Sequence, residues 1–408
     1  MRALPRPTSR ALGSLVLGAT VAGAAWGTGQ DDLLWPAVFF IALPLVALLS
    51  SLVTRPGFRV ERSVSPAVTP VGDTARVHLR FTATRPGFGV DATAWDDPGP
   101  LLGAPHLIRL DARHQGATTH AAYPIRPRRR GRHPLARLTV RTGDVLGFWT
   151  FSRTAGLATE VVVTPRVHPL PHAGLGVIGE TGETPLPRSA QIGPDDATVR
   201  DYHPGDDVRR IDWRTTARTG ELMVRREEAA WDPAAWLLLD SRAGVHAPAG
   251  DTRPTFEWLV DAAASVGERL LEESYALGLV DAAGDVHEAG SDPAVAAARW
   301  LEPLVDVDVT GVEDLRAATE ALHRRGDGVL VALLGRLDAS SVDLLAGLPA
   351  SRCARIALVI APEEAHRNQF DHHRAALERH DWDVRTTTPD GDLAAAWLPD
   401  RAGAGARR

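Results

Sequence analysis

The chain has 408 residues, of which 44% are hydrophobic, and this length is enough for two or three domains with their own cores. Its formal net charge of -6 is mild, which argues against a general binder of polyanions. The single cysteine, Cys353, excludes an intramolecular disulfide and a zinc site built from several cysteines.

Two uncharged apolar segments close to the N-terminus have the length of membrane-spanning helices. Residues 11–28 are rich in Ala and Gly, and residues 33–53 are rich in Leu, Val, Ile and Phe. About 20 such residues cross a bilayer. A cleaved signal peptide is the alternative for the first segment, although a second span follows at once and residues 26–30 form a poor cleavage site. The sequence therefore predicts a two-helix transmembrane anchor over residues 1–54.

The distribution of arginine predicts how this anchor is oriented. Three arginines precede the first span and three follow the second, whereas the loop between the spans has none. They are Arg2, Arg6 and Arg10 before the first span, and Arg55, Arg59 and Arg62 after the second. Because positive charge favours the cytoplasmic side, we predict a multi-pass protein of the cell membrane with cytoplasmic soluble domains.

Small residues recur along the first apolar segment. Ala19, Gly23 and Gly27 are spaced every fourth residue, which places them on one side of a helix. Small residues let two helices approach closely, so we interpret this side as the packing face of the hairpin. The alternative is that small residues are simply common in this segment.

Residues 55–171 show the short alternating runs of an antiparallel β-sandwich. In residues 74–81, Ala, Val, Leu and Phe alternate with Arg and His, and residues 137–141 alternate in the same way. Turns rich in Pro and Gly separate such runs at short intervals. The sequence therefore predicts a β-sandwich over residues 55–171, followed by a Gly/Pro-rich linker over residues 172–198.

A basic cluster lies within the predicted sandwich. Its members are Arg126, Arg128, Arg129, Arg130 and Arg132, with Arg137 nearby. Contact with anionic lipid headgroups is one interpretation, worth about 1 kcal/mol for each charge close to the surface. Nucleic-acid binding is disfavoured because aromatic residues are not interleaved and the whole chain is acidic. The remaining interpretation is a solvated hairpin rim.

Residues 199–230 form a segment dense in opposite charges, between the β pattern and the region that follows. Pro204 and Gly205 predict a tight turn, and Asp206 or Asp207 is suited to cap a short helical turn. Carboxylates and guanidinium groups are interleaved, so each carboxylate is held ionised rather than tuned for acid–base catalysis. The residues selected here as a partner-binding or structural motif are Pro204, Gly205, Asp206, Asp207, Arg209, Arg210, Asp212, Trp213, Arg214, Arg218, Gly220 and Arg225.

This segment resembles the signature of the domain-of-unknown-function-58 family. The similarity lies in three runs that follow in order: Tyr202–Asp207, Arg209–Arg214 and Thr216–Arg225. The resemblance implies a membrane-anchored protein whose second half is a von Willebrand factor A-like domain. It also implies a MoxR-type AAA+ ATPase as partner, since family members are typically encoded beside one. No molecular activity follows from the resemblance.

Residues 231–400 alternate short apolar strands with amphipathic helices. Strands predicted at 236–240, 275–280, 329–334, 356–360 and 384–387 are separated by helical stripes such as the one within 256–271. This alternation of strands and helices indicates a parallel sheet with helices covering both faces. The predicted fold class is therefore multi-domain α+β: a transmembrane hairpin, an antiparallel β-sandwich and a Rossmann-like, von Willebrand A-like α/β domain, with a disordered tail at 401–408.

Asp240 is the weak candidate for a metal site. It ends the first predicted strand of the α/β region, where the resemblance would place an Asp-x-Ser-x-Ser metal motif. Arg242 and Gly244 stand at the two serine positions, and hard cations need several oxygen ligands. We therefore expect no catalytic residue, no cofactor and no bound divalent metal, and interpret Asp240 as a cap or as the partner of an arginine.

The expected function is that of a non-enzymatic, membrane-anchored scaffold or adaptor, with a MoxR-type ATPase and membrane lipid as partners and no nucleic acid. Trp213 is expected to be a buried anchor, while Arg209 and Arg218 are exposed to a partner. One alternative is a metal-dependent hydrolase acting on envelope substrates. Another is a sensor that binds anionic lipid through the basic cluster. The sequence leaves the client and the oligomeric state open.

Overall fold

The computed structural model describes residues 5–87, 91–172, 199–201, 211, 213–225, 234–246, 254–290, 292–325, 328–349, 354–361, 367–388 and 391–398. Within it the chain divides into two compact units. The first runs from Met1 to Pro165 and the second from Arg166 to Arg408. The protein has mixed α and β structure, with two apolar helices near the N-terminus and several sheets.

Helices α1 (Ser9–Thr28) and α2 (Leu34–Thr54) form an antiparallel hairpin, and both are long and apolar enough to cross a membrane. The buried residues of α1 recur every seventh position, at Ala11, Gly18 and Ala25. A side chain at Gly18 would meet Ile41 of α2. The predicted packing face is wrong, because nothing lies within 4 Å of a Cβ built on Gly23 or Gly27. Helices that cross at a shallow angle meet along a seven-residue seam, not a four-residue one.

Pro44 interrupts the hydrogen bonding of α2 without interrupting the helix. Proline has no N–H, so the carbonyl of Phe40, one turn earlier, loses its usual donor. The Ser14 hydroxyl of α1 donates to that carbonyl at 2.7 Å. A side chain of one helix therefore supplies the hydrogen bond that the other helix lacks, which ties the hairpin together in the apolar segment.

Eleven strands of the first unit form three sheets around one apolar core. The sheet orders are β1-β10-β9-β5-β6, β3-β11-β8 and β2-β4-β7. Two strands adjoin the hairpin directly, since β1 precedes α1 and β2 follows α2. The strands are β1 (Pro5–Pro7), β2 (Gly57–Ser65), β3 (Val68–Pro70), β4 (Ala75–Arg85), β5 (Ala92–Asp96), β6 (His106–Leu110), β7 (Thr118–Ile125), β8 (Gly131–Leu135), β9 (Leu138–Gly143), β10 (Trp149–Ala155) and β11 (Thr159–Thr164).

The second unit begins with a small two-stranded sheet and a short helix, followed by strands alternating with helices. Its elements are β12 (Val199–Asp201), α3 (Trp213–Thr219), β13 (Met223–Arg225), β14 (Ala234–Leu239), α4 (Pro254–Glu272), β15 (Ala276–Asp281), β16 (Val286–Glu288), α5 (Pro293–Asp306), α6 (Arg316–His323), β17 (Val329–Leu334), α7 (Ala339–Ala346), β18 (Arg355–Ile360), α8 (Arg367–Glu378), β19 (Asp383–Thr387) and α9 (Leu393–Trp397).

The six-stranded sheet of this unit has the order β16-β15-β14-β17-β18-β19. All neighbours are parallel except the edge strand β16, which is antiparallel to β15. Buried apolar clusters cover both faces, one around α4, α5 and α9 and the other around α6, α7 and α8. The predicted parallel sheet with helices on both faces is therefore confirmed. From β14 the chain adds strands first on one side, with β15, and then on the other, with β17, so the strand order reverses between β14 and β17. Doubly wound sheets hold ligands at such a switch point.

Residues 166–172 belong to the second unit, although the predicted sandwich extends to residue 171. The backbone N–H of Arg166 donates to Asp261, and that of His168 donates to Ser265, both at 2.9 Å. Leu170 is buried in the core around α4. Burial raises the pKa of Asp261 to about 6. This segment is therefore fixed to α4 in the second unit, and not part of the β region of the first unit, where it was predicted.

Candidate functional site

Asp240 lies at the carboxyl end of β14, beside the switch point of the sheet. Its backbone N–H donates to the carbonyl of Leu333 in β17, which continues the parallel pairing by one residue. The side chain is fully buried. A buried carboxylate is costly unless it is paired, so its partners decide what this position can do.

Arg242 supplies that partner from two residues further along the chain. Its Nε and Nη2 donate to the two carboxylate oxygens of Asp240, each at 2.8 Å, in a bidentate pair. The backbone N–H groups of Arg242 and Gly335 donate to the same oxygens at 3.3 and 3.4 Å. Each carboxylate oxygen thus has two donors, which uses the acceptor capacity of the group.

The guanidinium of Arg242 also reaches the start of α7. Its Nη1 donates to Asp338 at 3.1 Å and its Nη2 donates to the hydroxyl of Ser341 at 2.9 Å. The Ser341 hydroxyl and backbone N–H both donate to Asp338 at 2.8 Å, so Asp338 caps the helix. Burial raises the pKa of Asp338, but the bonds from Ser341 and the charge of Arg242 outweigh burial and hold it below its ordinary value.

The protonation of Arg242 follows from the same contacts. Burial lowers the pKa of Arg242, but the hydrogen bonds and charges of Asp240 and Asp338 outweigh burial and raise it. A permanently charged group therefore lies between two carboxylates, where a metal-binding site would place its cation. The part of the chain that the structure describes contains no group of three or more His, Cys, Asp or Glu residues arranged to hold a metal ion.

Ser241 has its own structural role beside this ion pair. Its hydroxyl accepts from the backbone N–H of Ala282, at the end of β15, at 3.3 Å. Its carbonyl accepts from the backbone N–H of Thr310 at 2.6 Å. These bonds fix the loop after β14 to two neighbouring segments. The predicted role of Asp240 as the partner of an arginine agrees with the structure, and the sequence had not indicated Asp338 or Ser341.

The charged segment of residues 199–225 is partly described by the structure. Strands β12 and β13 pair antiparallel, and the hydroxyl of Thr216 in α3 accepts from the backbone N–H of Met223 at 3.0 Å. Gly220 has a φ of 81°, so it makes the turn after α3. The remaining predicted motif residues lie outside the described residues: Pro204, Gly205, Asp206, Asp207, Arg209, Arg210 and Asp212, together with the side chain of Arg225.

Trp213 differs from the prediction. Its side chain is 67% exposed, so the expectation of a buried anchor is wrong. Arg214 and Arg218 of the same helix are also exposed, as expected for Arg218. Helix α3 is only seven residues long and has no buried residue, so it has no apolar face through which Trp213 could join a core. The helix instead presents an aromatic side chain and two cations to solvent.

The model of the family described as "Protein of unknown function DUF58" matches residues 198–359. Residues 198–359 are therefore similar to the DUF58 family, and the match leaves more than half of the chain uncovered. The match includes the charged segment with α3, and the sheet from β14 to β18 with the Asp240–Arg242 pair.

Two relatives of the chain are described as uncharacterized proteins. It is 29% identical to the uncharacterized protein YeaD of Bacillus subtilis over 157 residues, 37% of this chain and 36% of that protein. It is 43% identical to the uncharacterized protein Rv1480 of Mycobacterium tuberculosis over 53 residues, 13% of this chain and 17% of that protein. The chain thus matches about a third of the first relative's length and less of the second. An alkylpurine DNA glycosylase from Pseudomonas fluorescens gives a TM-score of 0.17 with 15% identity over 33% of this chain and 39% of its own, too low for any inference.

The basic cluster lies outside the DUF58 match, in the first unit. It follows Ile125 at the end of β7, which pairs with Ala75 of β4. Ser65, the last residue of β2, lies at the same end of this sheet as Ile125, whereas Gly57, the first residue of β2, lies at the end adjoining α2. Eight residue steps along β2 are about 26 Å. The cluster therefore lies at the end of β2 that is away from α2, and contact with anionic lipid stays a prediction.

The individual arginines of this cluster also have different surroundings. Arg130 is buried, so its assignment to a lipid-facing surface is wrong. Arg126 donates to the carbonyl of Gly72 at 2.6 Å, and Arg132 lies 3.8 Å from Glu160 of β11. Arg128 and Arg129 are exposed. These contacts favour the solvated rim among the interpretations of the cluster.

Proposed function

We propose that this protein is a membrane-anchored, non-enzymatic adaptor that binds a partner protein through the exposed surface of α3. The observation that carries the proposal is the exposed Trp213, flanked by the exposed Arg214 and Arg218. Trp and Arg are the residues most enriched among interface hot spots. An exposed Trp on a helix with no buried residue contributes little to folding, so binding is the role that its chemistry favours.

The anchor in this proposal is the α1–α2 hairpin, which places the protein in the cell membrane as a multi-pass protein. Arg6 and Arg10 lie at the start of α1, and Arg55 and Arg59 follow α2. The turn between the helices carries Asp31 and Asp32 and no arginine. By the positive-inside rule the soluble parts are cytoplasmic. We further propose that the three sheets of the first unit form a β-sandwich.

We propose that the six-stranded sheet is a von Willebrand A-like domain in which Arg242 has taken the place of a metal ion. The strand order and the position of Asp240 beside the switch point support this assignment. The partner that the family resemblance implies is a MoxR-type AAA+ ATPase, which acts in the same compartment if the soluble parts are cytoplasmic. In this scheme, the ATPase supplies the enzymatic activity, and the anchored protein holds the ATPase at the membrane.

Replacing Trp213 with Ala is expected to abolish capture of the MoxR-type ATPase while the protein remains folded. A hot-spot Trp is worth about 2 kcal/mol or more, which is about a thirtyfold loss of affinity. The measurement is a pull-down with the full-length protein in detergent as bait and the purified ATPase of the same organism. Trp95→Ala, which removes another exposed Trp in the first unit, is the matched control. Equal capture by both variants would contradict the proposed surface.

The main competing function is a metal-dependent hydrolase, and Mg²⁺ titration distinguishes it. We expect no rise in melting temperature with millimolar Mg²⁺ or Mn²⁺, because Arg242 already occupies both oxygens of Asp240. Ligands that bind the native state raise its stability by mass action. The measurement is thermal unfolding of the full-length protein with and without metal. A clear rise that Asp240→Ala removes would support the hydrolase instead.

A further inference from the structure

The loop between β9 and β10, residues 144–148, lies against the start of α1. The backbone N–H of Thr8 donates to the carbonyl of Phe148, and the Thr8 hydroxyl donates to the carbonyl of Gly147, both at 2.8 Å. Residues Pro5–Pro7, immediately before, pair with Trp149, Thr150 and Phe151 as strand β1. The loop is therefore held in place by backbone bonds on the side where α1 begins.

Apolar side chains fix the same loop to α2. Phe148 is buried in a cluster with Ala11 of α1 and Ala47 of α2. The indole N–H of Trp149 donates to the carbonyl of Pro44 at 2.8 Å. Both helices of the hairpin thus pack against this loop and the first residue of β10.

The tip of the loop carries two apolar side chains that are largely exposed. Val145 is 52% exposed and Leu146 is 46% exposed, and they are adjacent in the chain. The turn is rigid, because Asp144 accepts from the backbone N–H groups of Gly147 and Trp149, and Gly147 has a φ of 75°. The loop itself therefore cannot turn these side chains inward.

The depth of the loop follows from the lengths of the two helices. If α1 spans the bilayer over its 20 residues, Thr8 lies at the membrane boundary, and so does the loop it contacts. If α2 is centred in the bilayer, Pro44 lies 10 residues from its end at Thr54, about 15 Å along the axis. The indole of Trp149, which donates to the carbonyl of Pro44, would then also lie inside the bilayer. Both placements put residues 145 and 146 at or inside the boundary.

We propose that Val145 and Leu146 insert into the lipid interface beside the hairpin, as a third membrane contact of this protein. The inference rests on the proposed membrane anchoring. The exposed Arg6 and Arg10 lie at the same level, where cationic side chains meet anionic headgroups. The one acidic side chain of the loop, Asp144, is buried. Lipid contact at this apolar loop is therefore separate from any contact at the basic cluster, at the opposite end of β2.

The test is the depth of single labelled cysteines in the full-length protein. Cys353→Ser removes the native thiol, and Leu146→Cys then carries an environment-sensitive fluorophore in vesicles of phosphatidylcholine and phosphatidylglycerol. We expect a blue shift and strong quenching by a nitroxide attached near the lipid headgroup. Val38→Cys, on the exposed side of α2, is the membrane reference, and Leu157→Cys, beyond the far end of β10, is the water reference.

Quenching at the three labelled positions distinguishes the possible outcomes. Quenching at residues 38 and 146 but not at 157 supports the inserted loop. Quenching at 38 without quenching at 146 overturns it and leaves the anchor intact, with a protein contact as the remaining role of the tip. No quenching at 38 contradicts the proposed anchor itself. Equal quenching at 146 and 157 also overturns the inference, because lipid contact would then not be specific to this loop.

Discussion

Replacing Arg242 with Ala is expected to destabilise the second unit by about 3–5 kcal/mol. The substitution leaves Asp240 as a buried carboxylate without its bidentate partner, and it also removes the donors to Asp338 and Ser341. The effect exceeds that of lost contacts alone, because an unpaired buried charge keeps its full desolvation cost. The measurement is urea unfolding of the full-length protein in detergent, followed by hydrogen exchange in peptides from β14 and β17.

Two further variants show whether the ion pair is the cause. Arg374→Ala removes an arginine of a partly exposed pair with Glu378 and should cost no more than about 1 kcal/mol. Asp240→Leu combined with Arg242→Met removes both charges together and should recover most of the stability lost in Arg242→Ala. If the double variant is as unstable as Arg242→Ala, the loss comes from packing and not from an unpaired carboxylate.

Replacing Trp300 with Ala is expected to destabilise the second unit by a similar amount, about 3–5 kcal/mol. Trp300 of α5 is 1% exposed, and its indole N–H donates to the carbonyl of Ala263 in α4 at 3.2 Å. A Cβ built on Gly267 would lie 2.0 Å from the indole ring, so the ring approaches the α4 backbone closely at this glycine. Removing the ring leaves a large cavity beside α4. The same unfolding measurement reports this loss.

A double-mutant cycle tests whether the stability lost in Trp300→Ala comes from the contact of Trp300 with α4. Gly267→Ala alone should destabilise the protein because its methyl group has no room beside Trp300, whereas in the Trp300→Ala background it should cost much less. Trp213→Ala is the matched control and should change stability by no more than about 0.5 kcal/mol, since its side chain is exposed. Additive effects at 267 and 300 would contradict the proposed steric contact.

The α/β region is the part of the fold that the sequence predicts best. The strand predicted at 329–334 is β17, and the strand predicted at 356–360 is β18, within one residue. Fully buried strands and one-sided helices leave strong patterns, because each position has one environment. Strand β16 was not predicted, since three residues, Val286–Glu288, are too few to show alternation. Strand β16 nevertheless forms one edge of the six-stranded sheet, beside β15.

The candidate site could be predicted only in part, because its geometry depends on distant segments. An arginine at 242 is visible in the sequence, but Asp338 and Ser341 lie 96 and 99 residues further along. The location of the basic cluster likewise depends on strand register, which composition does not show. For Trp213, hydrophobicity favoured burial, yet helix α3 is too short to bury it. Local patterns record burial within an element, but not which elements meet.

The contact between Thr8 and Gly147 joins positions 139 residues apart, which sets an order of events during synthesis. At about 5–20 residues per second, the ribosome needs roughly 7–28 s to pass from one to the other. Until then the hairpin depends on contacts within itself, such as the bond from Ser14 to the carbonyl of Phe40, 26 residues away. The helices can therefore associate as soon as both are made. Their attachment to β10 is a later, separate step, completed only when most of the first unit has been synthesised.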